Sequence, residues 1–161
     1  MLKTLVLLAA LSCPSLALAQ AAQIDLGGMS QNTSAPVSVD ADRLSVDQGT
    51  GVATFSGNVR VAQGELRLAA DQVRVEYGEA QGEIRTLHAD GNVTLANTDI
   101  AAEAEQAAYT IASGVIEMTG DVLLTQGSST IAGEKLIIDA AAGTGRMEGR
   151  VQTTFQPGQS Q

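Results

Sequence analysis

From Val37 to about Phe155 apolar and polar residues alternate along most of the chain, the period of strands that lay one face on a core. Leu66, Leu68 and Ala70 share one face, after which Val73 and Val75 share a face in the opposite phase. A seven-residue offset of the same kind relates Val37 to Leu44, Ile100 to Ala107 and Ser129 to Leu136. Because the offset is odd, an unbroken strand would send the second set outward, so the chain must be re-aimed between the two.

Two landmarks recur along this pattern. One is a glycine followed two residues later by valine, at Gly57-Asn58-Val59, Gly91-Asn92-Val93, Gly120-Asp121-Val122 and Gly149-Arg150-Val151, in steps of 34, 29 and 29 residues. The other is a small residue followed by an acid, at Ala41-Asp42, Ala70-Asp71, Ala104-Glu105 and Gly133-Glu134, in steps of 29, 34 and 29. The acidic insert Glu79-Ala80-Gln81-Gly82-Glu83 falls in the longer step. Two landmarks of nearly one period indicate about four copies of a single β unit.

The phase changes at the small-acid step, which predicts a β-bulge or corner there, with an extra residue that bends the strand so that both arms aim inward. The acid then faces solvent. At the glycine step the phase is kept: Ala53, Phe55, Val59 and Val61 share a parity that Gly57 also occupies, so glycine there permits a kink and close approach of the facing sheet. Repeated bends fold the strands over one another. The predicted class is all-β, a two-layer jelly roll or solenoid-like stack around one apolar lumen. Good helix formers compete from Thr98 to Gln106, but Ile100, Ala102 and Ala104 occupy the slots of the other units' valines and leucines, so strand is the consistent assignment.

The N-terminus reads as a cleaved signal peptide over residues 1–19: Lys3 is followed by the apolar run Leu5 to Leu11 and by Ala17-Leu18-Ala19. Ser12, Cys13 and Pro14 stop the run short of the roughly 20 residues a bilayer span requires. Cys13 is the single cysteine and would leave with the signal; acylation at Cys13 is the alternative, on a poor motif match. Residues 20–35 are expected to be a flexible segment, 36–155 the β domain, and 156–161 a flexible tail.

The formal charge is −9, with 18 acids against 9 Lys and Arg, and loss of Lys3 would make the mature chain more acidic still. The arginines are dispersed. Such a chain repels phosphate backbones, so nucleic acid is excluded as a partner. Catalysis finds no support: His88 is alone and no nucleophile-elbow, zinc-helix or phosphate-loop pattern occurs. Asp40/Asp42 and Glu103/Glu105 could bind Ca²⁺ or act as acid and base, but such pairs are usually a solubilising outer face. No cofactor or metal is expected.

Three stretches carry a family resemblance: Pro36-Val37-Ser38-Val39-Asp40-Ala41-Asp42, then Phe55-Ser56-Gly57-Asn58-Val59-Arg60-Val61-Ala62-Gln63-Gly64, and Leu68-Ala69-Ala70-Asp71-Gln72-Val73. With their order and spacing, the chain resembles the LptA/OstA-like lipopolysaccharide-transport proteins. The resemblance implies a twisted, V-shaped, open β-jelly roll in the periplasm whose groove receives the acyl chains of lipopolysaccharide. It also implies end-to-end assembly, linking an inner-membrane transport complex to an outer-membrane translocon through homologous β-jelly-roll domains.

Carried onto this chain, the lipid-binding positions are Thr33, Val37, Val39, Phe55, Val59, Leu95, Tyr109, Ile111 and Met118. The assembly edges are Val37 and Val39 at one end and Val151 and Phe155 at the other, joined by strand addition. Arg43, Arg60 or Arg67 could meet lipid A phosphates, although a lone arginine is more often a solvated strand face. A structural or adhesive β-solenoid with a closed core is the competing reading. A third is the soluble domain of a membrane-anchored transport component that retains residues 1–19.

Overall fold

A computed structural model describes residues 22–26, 34–79 and 82–155. The described residues form eleven strands: β1 (Ala22–Asp25), β2 (Val37–Asp40), β3 (Arg43–Asp47), β4 (Val52–Gln63), β5 (Leu66–Tyr77), β6 (Ile84–Ala96), β7 (Ile100–Thr110), β8 (Val115–Gln126), β9 (Ser129–Asp139), β10 (Thr144–Glu148) and β11 (Gln152–Phe155). Of the stretch in which helix and strand competed, Ile100 to Gln106 lies in β7, and Thr98 and Asp99 form the bend before it. Residues 1–19, expected to be a signal peptide, with Cys13 among them, and Thr33 and residues 156–161 lie outside the described residues.

All pairings are antiparallel and the sheet is an open meander, β1-β10-β9-β8-β7-β6-β5-β4-β2, with β3 on β4 and β11 on β9. Both β2 and β3 pair with β4, β3 along Val52–Ser56 and β2 along Arg60–Gln63. Likewise β10 and β11 pair with opposite halves of β9. Each long strand is therefore two arms joined by a corner. One layer holds β3, β10, β1 and the adjoining halves of β4 to β9; the other holds β2, β11 and the remaining halves. Among the described residues no helix covers the apolar face, so the sheet covers it by folding on itself.

The corners differ from expectation in which strand carries the extra residue. Ser56 to Val59 on β4 is opposed by the shorter step Gln72 to Ala70 on β5, and register shifts recur where β6 and β8 pass Gly91 and Gly120. The bulge lies at the glycine step, where two successive residues are left-handed: Gly57 and Asn58 at φ 81° and 49°, Gly91 and Asn92 at 80° and 46°. Gly57 does not face the lumen. What approaches it is an acid of the neighbouring chain segment, not the facing sheet: a Cβ there would lie 2.6 Å from Oδ2 of Asp42, in the link between β2 and β3, and one at Gly91 2.5 Å from Oδ2 of Asp71 on β5.

Gly120 meets Glu105 and Gly149 meets Glu134 in the same way. The two landmarks are thus the two sides of one contact, which is why their periods agree. Three of the four acids also accept a side-chain hydrogen bond from the residue after the glycine, each at 2.8 Å: Asp42 from Asn58 Nδ2, Asp71 from Asn92 Nδ2 and Glu134 from Arg150 Nε.

A second difference concerns residues 20–35, expected to be flexible. Within them Ala22–Asp25 forms β1 on the outer edge of β10, and Ile24 and Leu26 are buried. The alternation of Ile24 and Leu26 with polar neighbours gives even this short segment an inward face, enough to seat it on an otherwise open edge.

Candidate functional site

The space between the two layers is lined in rows set by the strand register. Near the corners Phe55, Val73, Ala89, Ala107, Met118, Leu136 and Met147 oppose one another from strand to strand in one layer. In the other layer Val39, Val61, Leu68, Leu95, Ala102, Leu124 and Ile131 do the same. These side chains carry no polar group except the thioethers, so the lining accepts an alkyl chain without demanding hydrogen bonds. It is packed on itself here: Leu95, Met118, Leu124 and Leu136 are each 0% exposed.

Of the positions expected to touch lipid, Val59, Leu95, Tyr109 and Met118 are buried in this lining, and Val37, Val39, Phe55 and Ile111 pack partly buried against it. The sequence did not single out Gln63. It is a buried polar side chain at 3% exposure, its Oε1 accepting from Tyr109 O–H at 2.7 Å while its Nε2 donates to the Ala35 carbonyl at 2.9 Å. A signal for it existed, because Gln63 continues the inward parity of Val59 and Val61. Burial holds the Tyr109 phenol above its usual pKa.

The lining runs out into solvent at both ends of the stack. Leu44 and Val46 on β3 lie opposite Phe55 and Ala53, hence on the lumen side, yet they are 57% and 58% exposed. At the far end Phe155 lies opposite Ser129, again on the lumen side, and is 74% exposed; Val151, just before β11, is 37% exposed. Of the expected edges, β2 with Val37 and Val39 forms one border of its layer and β11 with Phe155 the other.

The polar candidates fall on the outside. Arg43, Arg60 and Arg67 are exposed, and Arg67 Nη1 donates to the carbonyls of Gly64 and Leu66 at 2.7 and 2.8 Å. His88 Nε2 lies 3.4 Å from Glu76 Oε1, and the Arg85 guanidinium, bonded to Glu76 Oε2 at 3.1 Å, holds that carboxyl below its usual range, with the His88 charge acting the same way. Asp42 and Glu105 are committed to corners. Among the described residues no group of three or more His, Cys, Asp or Glu could hold a metal ion.

Residues 38–144 match the profile of the family described as LptA/(LptD N-terminal domain) LPS transport protein. The chain belongs to this family. An LptA-family member of known role, the lipopolysaccharide export system protein LptA of Escherichia coli K12, is 30% identical over 122 residues, covering 72% of this chain and 66% of that protein. An uncharacterised protein of Rhizobium meliloti is 28% identical over 155 residues, covering 89% of this chain and 83% of its own. The LPS-assembly protein LptD of Vibrio cholerae is 40% identical over 65 residues, 8% of that much longer protein.

The fold agrees. LptH of Pseudomonas aeruginosa, described as the LptA homologous periplasmic component of a lipopolysaccharide transport device, superposes with a TM-score of 0.71 at 19% identity, over 79% of this chain and 99% of that one. The LptA-like architecture is therefore shared where the side chains have largely diverged.

Proposed function

We propose that this chain is a non-enzymatic periplasmic carrier that shields the acyl chains of lipopolysaccharide between its two layers and, end to end with further copies, forms part of a bridge from inner to outer membrane. The observation that carries the reading is the open-ended lumen. A self-contained core would bury its apolar side chains at both ends, whereas Leu44, Val46 and Phe155 face the lumen and remain exposed. Strand addition at β2 and β3, and at β11 on the far side, would continue both layers into a neighbour and cover those residues.

The neighbour is a second copy or a transport component with the same jelly roll, at the inner membrane or on an outer-membrane translocon of the LptD kind. Burial of each acyl methylene contributes about 0.8 kcal/mol, so partial enclosure of several chains suffices for binding without a buried charge. No step of the reading calls for a cofactor or nucleic acid.

The tight packing of Leu95 and Met118 favours the competing reading, a structural solenoid with a permanently closed core. A competition experiment separates the two. Lipopolysaccharide labelled on its sugar is bound to the purified protein and challenged with unlabelled intact or fully deacylated lipopolysaccharide. The carrier reading expects displacement by the intact form alone. Equal displacement by the deacylated saccharide, or no binding at all, contradicts it.

A further inference from the structure

Tyr109 and Gln63 stand on opposite lips of the cleft. Gln63 is the last residue of β4, beside the turn that leads into β5; Tyr109 is the next-to-last residue of β7, in the other layer. The two residues belong to different repeat units, and the twist of the sheets carries one lip over the other. Their 2.7 Å hydrogen bond therefore joins the two layers at the strand ends away from the corners, across the mouth between them, and the 2.9 Å bond from Gln63 Nε2 to the Ala35 carbonyl ties it to the segment leading into β2.

A guest with its tails between the layers and its polar head outside needs the mouth open along its whole path, so a bond bridging the mouth obstructs it. Both groups are 3% exposed, and burial raises the Tyr109 pKa, so water does not compete for the bond while the layers are together. The bond is also reversible, since its two halves can be satisfied by water or by head-group oxygens once the lips part. We propose that the Tyr109–Gln63 hydrogen bond is a latch across the cleft that must break for each amphiphile to be admitted. This rests on the carrier reading and assigns to it the residues that control admission. The link to Ala35 places the latch beside β2, where docking of a neighbour's strand would disturb it.

The test is stopped-flow uptake of sugar-labelled lipopolysaccharide by the wild type, Tyr109→Phe, Gln63→Leu and the double variant, with β-sheet content checked by circular dichroism. Tyr109→Phe keeps the ring and deletes only the hydroxyl. Each single variant is expected to take up lipid on the order of tenfold faster, as loss of one buried hydrogen bond implies, and the double variant to gain no more than the faster single. If one variant fails to fold, the other alone decides. Uptake at or below the wild-type rate overturns the latch while leaving the carrier reading intact. A wild type that takes up no lipid overturns both.

Discussion

Asp121 is the corner residue that breaks its own rule. At the equivalent places Asn58, Asn92 and Arg150 donate to the acid across the corner, whereas Asp121, at φ 43°, has no side-chain N–H to offer Glu105. Asn supplies the missing donor and tolerates the left-handed region well. Asp121→Asn is expected to stabilise by about 1 kcal/mol, raising the thermal midpoint by about 2–4 °C. An unchanged or lower midpoint would show that the added amide forms no bond to Glu105.

Tyr109 carries a pH dependence whose sign follows from its burial. Its phenol is raised in the folded state, so its contribution is fully present below the unfolded value of about 10 and is lost as pH rises through the higher folded value. Urea midpoints measured from neutral to strongly alkaline pH should fall more steeply for the wild type than for Tyr109→Phe; parallel curves would contradict this. The burial of Tyr109 was legible in its inward parity. Its partner was not, because a glutamine in an apolar row reads as an exception until the opposite lip is placed beside it.

The corner is the element that converts the sequence period into a fold. Its existence followed from an odd seven-residue offset, and its acids were expected in solvent, where they are. The strand that carries the extra residue was not legible, because parity records side-chain facing and is blind to two consecutive left-handed residues. The insertion of 79–83 within one unit lengthens the distance from Asp71 to Gly91 without disturbing their contact. The short β1 escaped notice because one turn of alternation, Ile24 and Leu26, is too little to outweigh its glycine-rich surroundings.

Gly51 and Gly91 allow the corner contact to be weighed against backbone strain alone. Both are left-handed, at φ 67° and 80°, but a Cβ at Gly51 meets nothing within 4 Å while one at Gly91 meets Asp71 at 2.5 Å. Alanine at Gly51 is expected to cost about 1 kcal/mol by strain, and at Gly91 about 2 kcal/mol or more by strain and displacement of the acid. Chemical unfolding of the two variants checks the difference. Equal losses would mean that the acid moves aside freely.

For the whole molecule the decisive feature is a sheet that folds over itself yet never closes, leaving apolar rows ending in solvent at Leu44 and Val46 on one side and Phe155 on the other. Open ends of this kind favour growth along the stack. Sedimentation should show mass rising with protein concentration, more strongly in salt because each copy carries a formal charge of −9. Leu44→Arg is expected to hold the chain at one protomer; assembly undiminished by that change would place the interface elsewhere.

The most direct test of the lumen as the lipid path is a photo-crosslinking residue placed in turn at Val39, partly buried against the core, and at its exposed neighbour Ser38, in cells that make lipopolysaccharide. Capture of lipopolysaccharide at Val39 and little or none at Ser38 is the expected result. Equal capture at both, or none at Val39, would contradict the account.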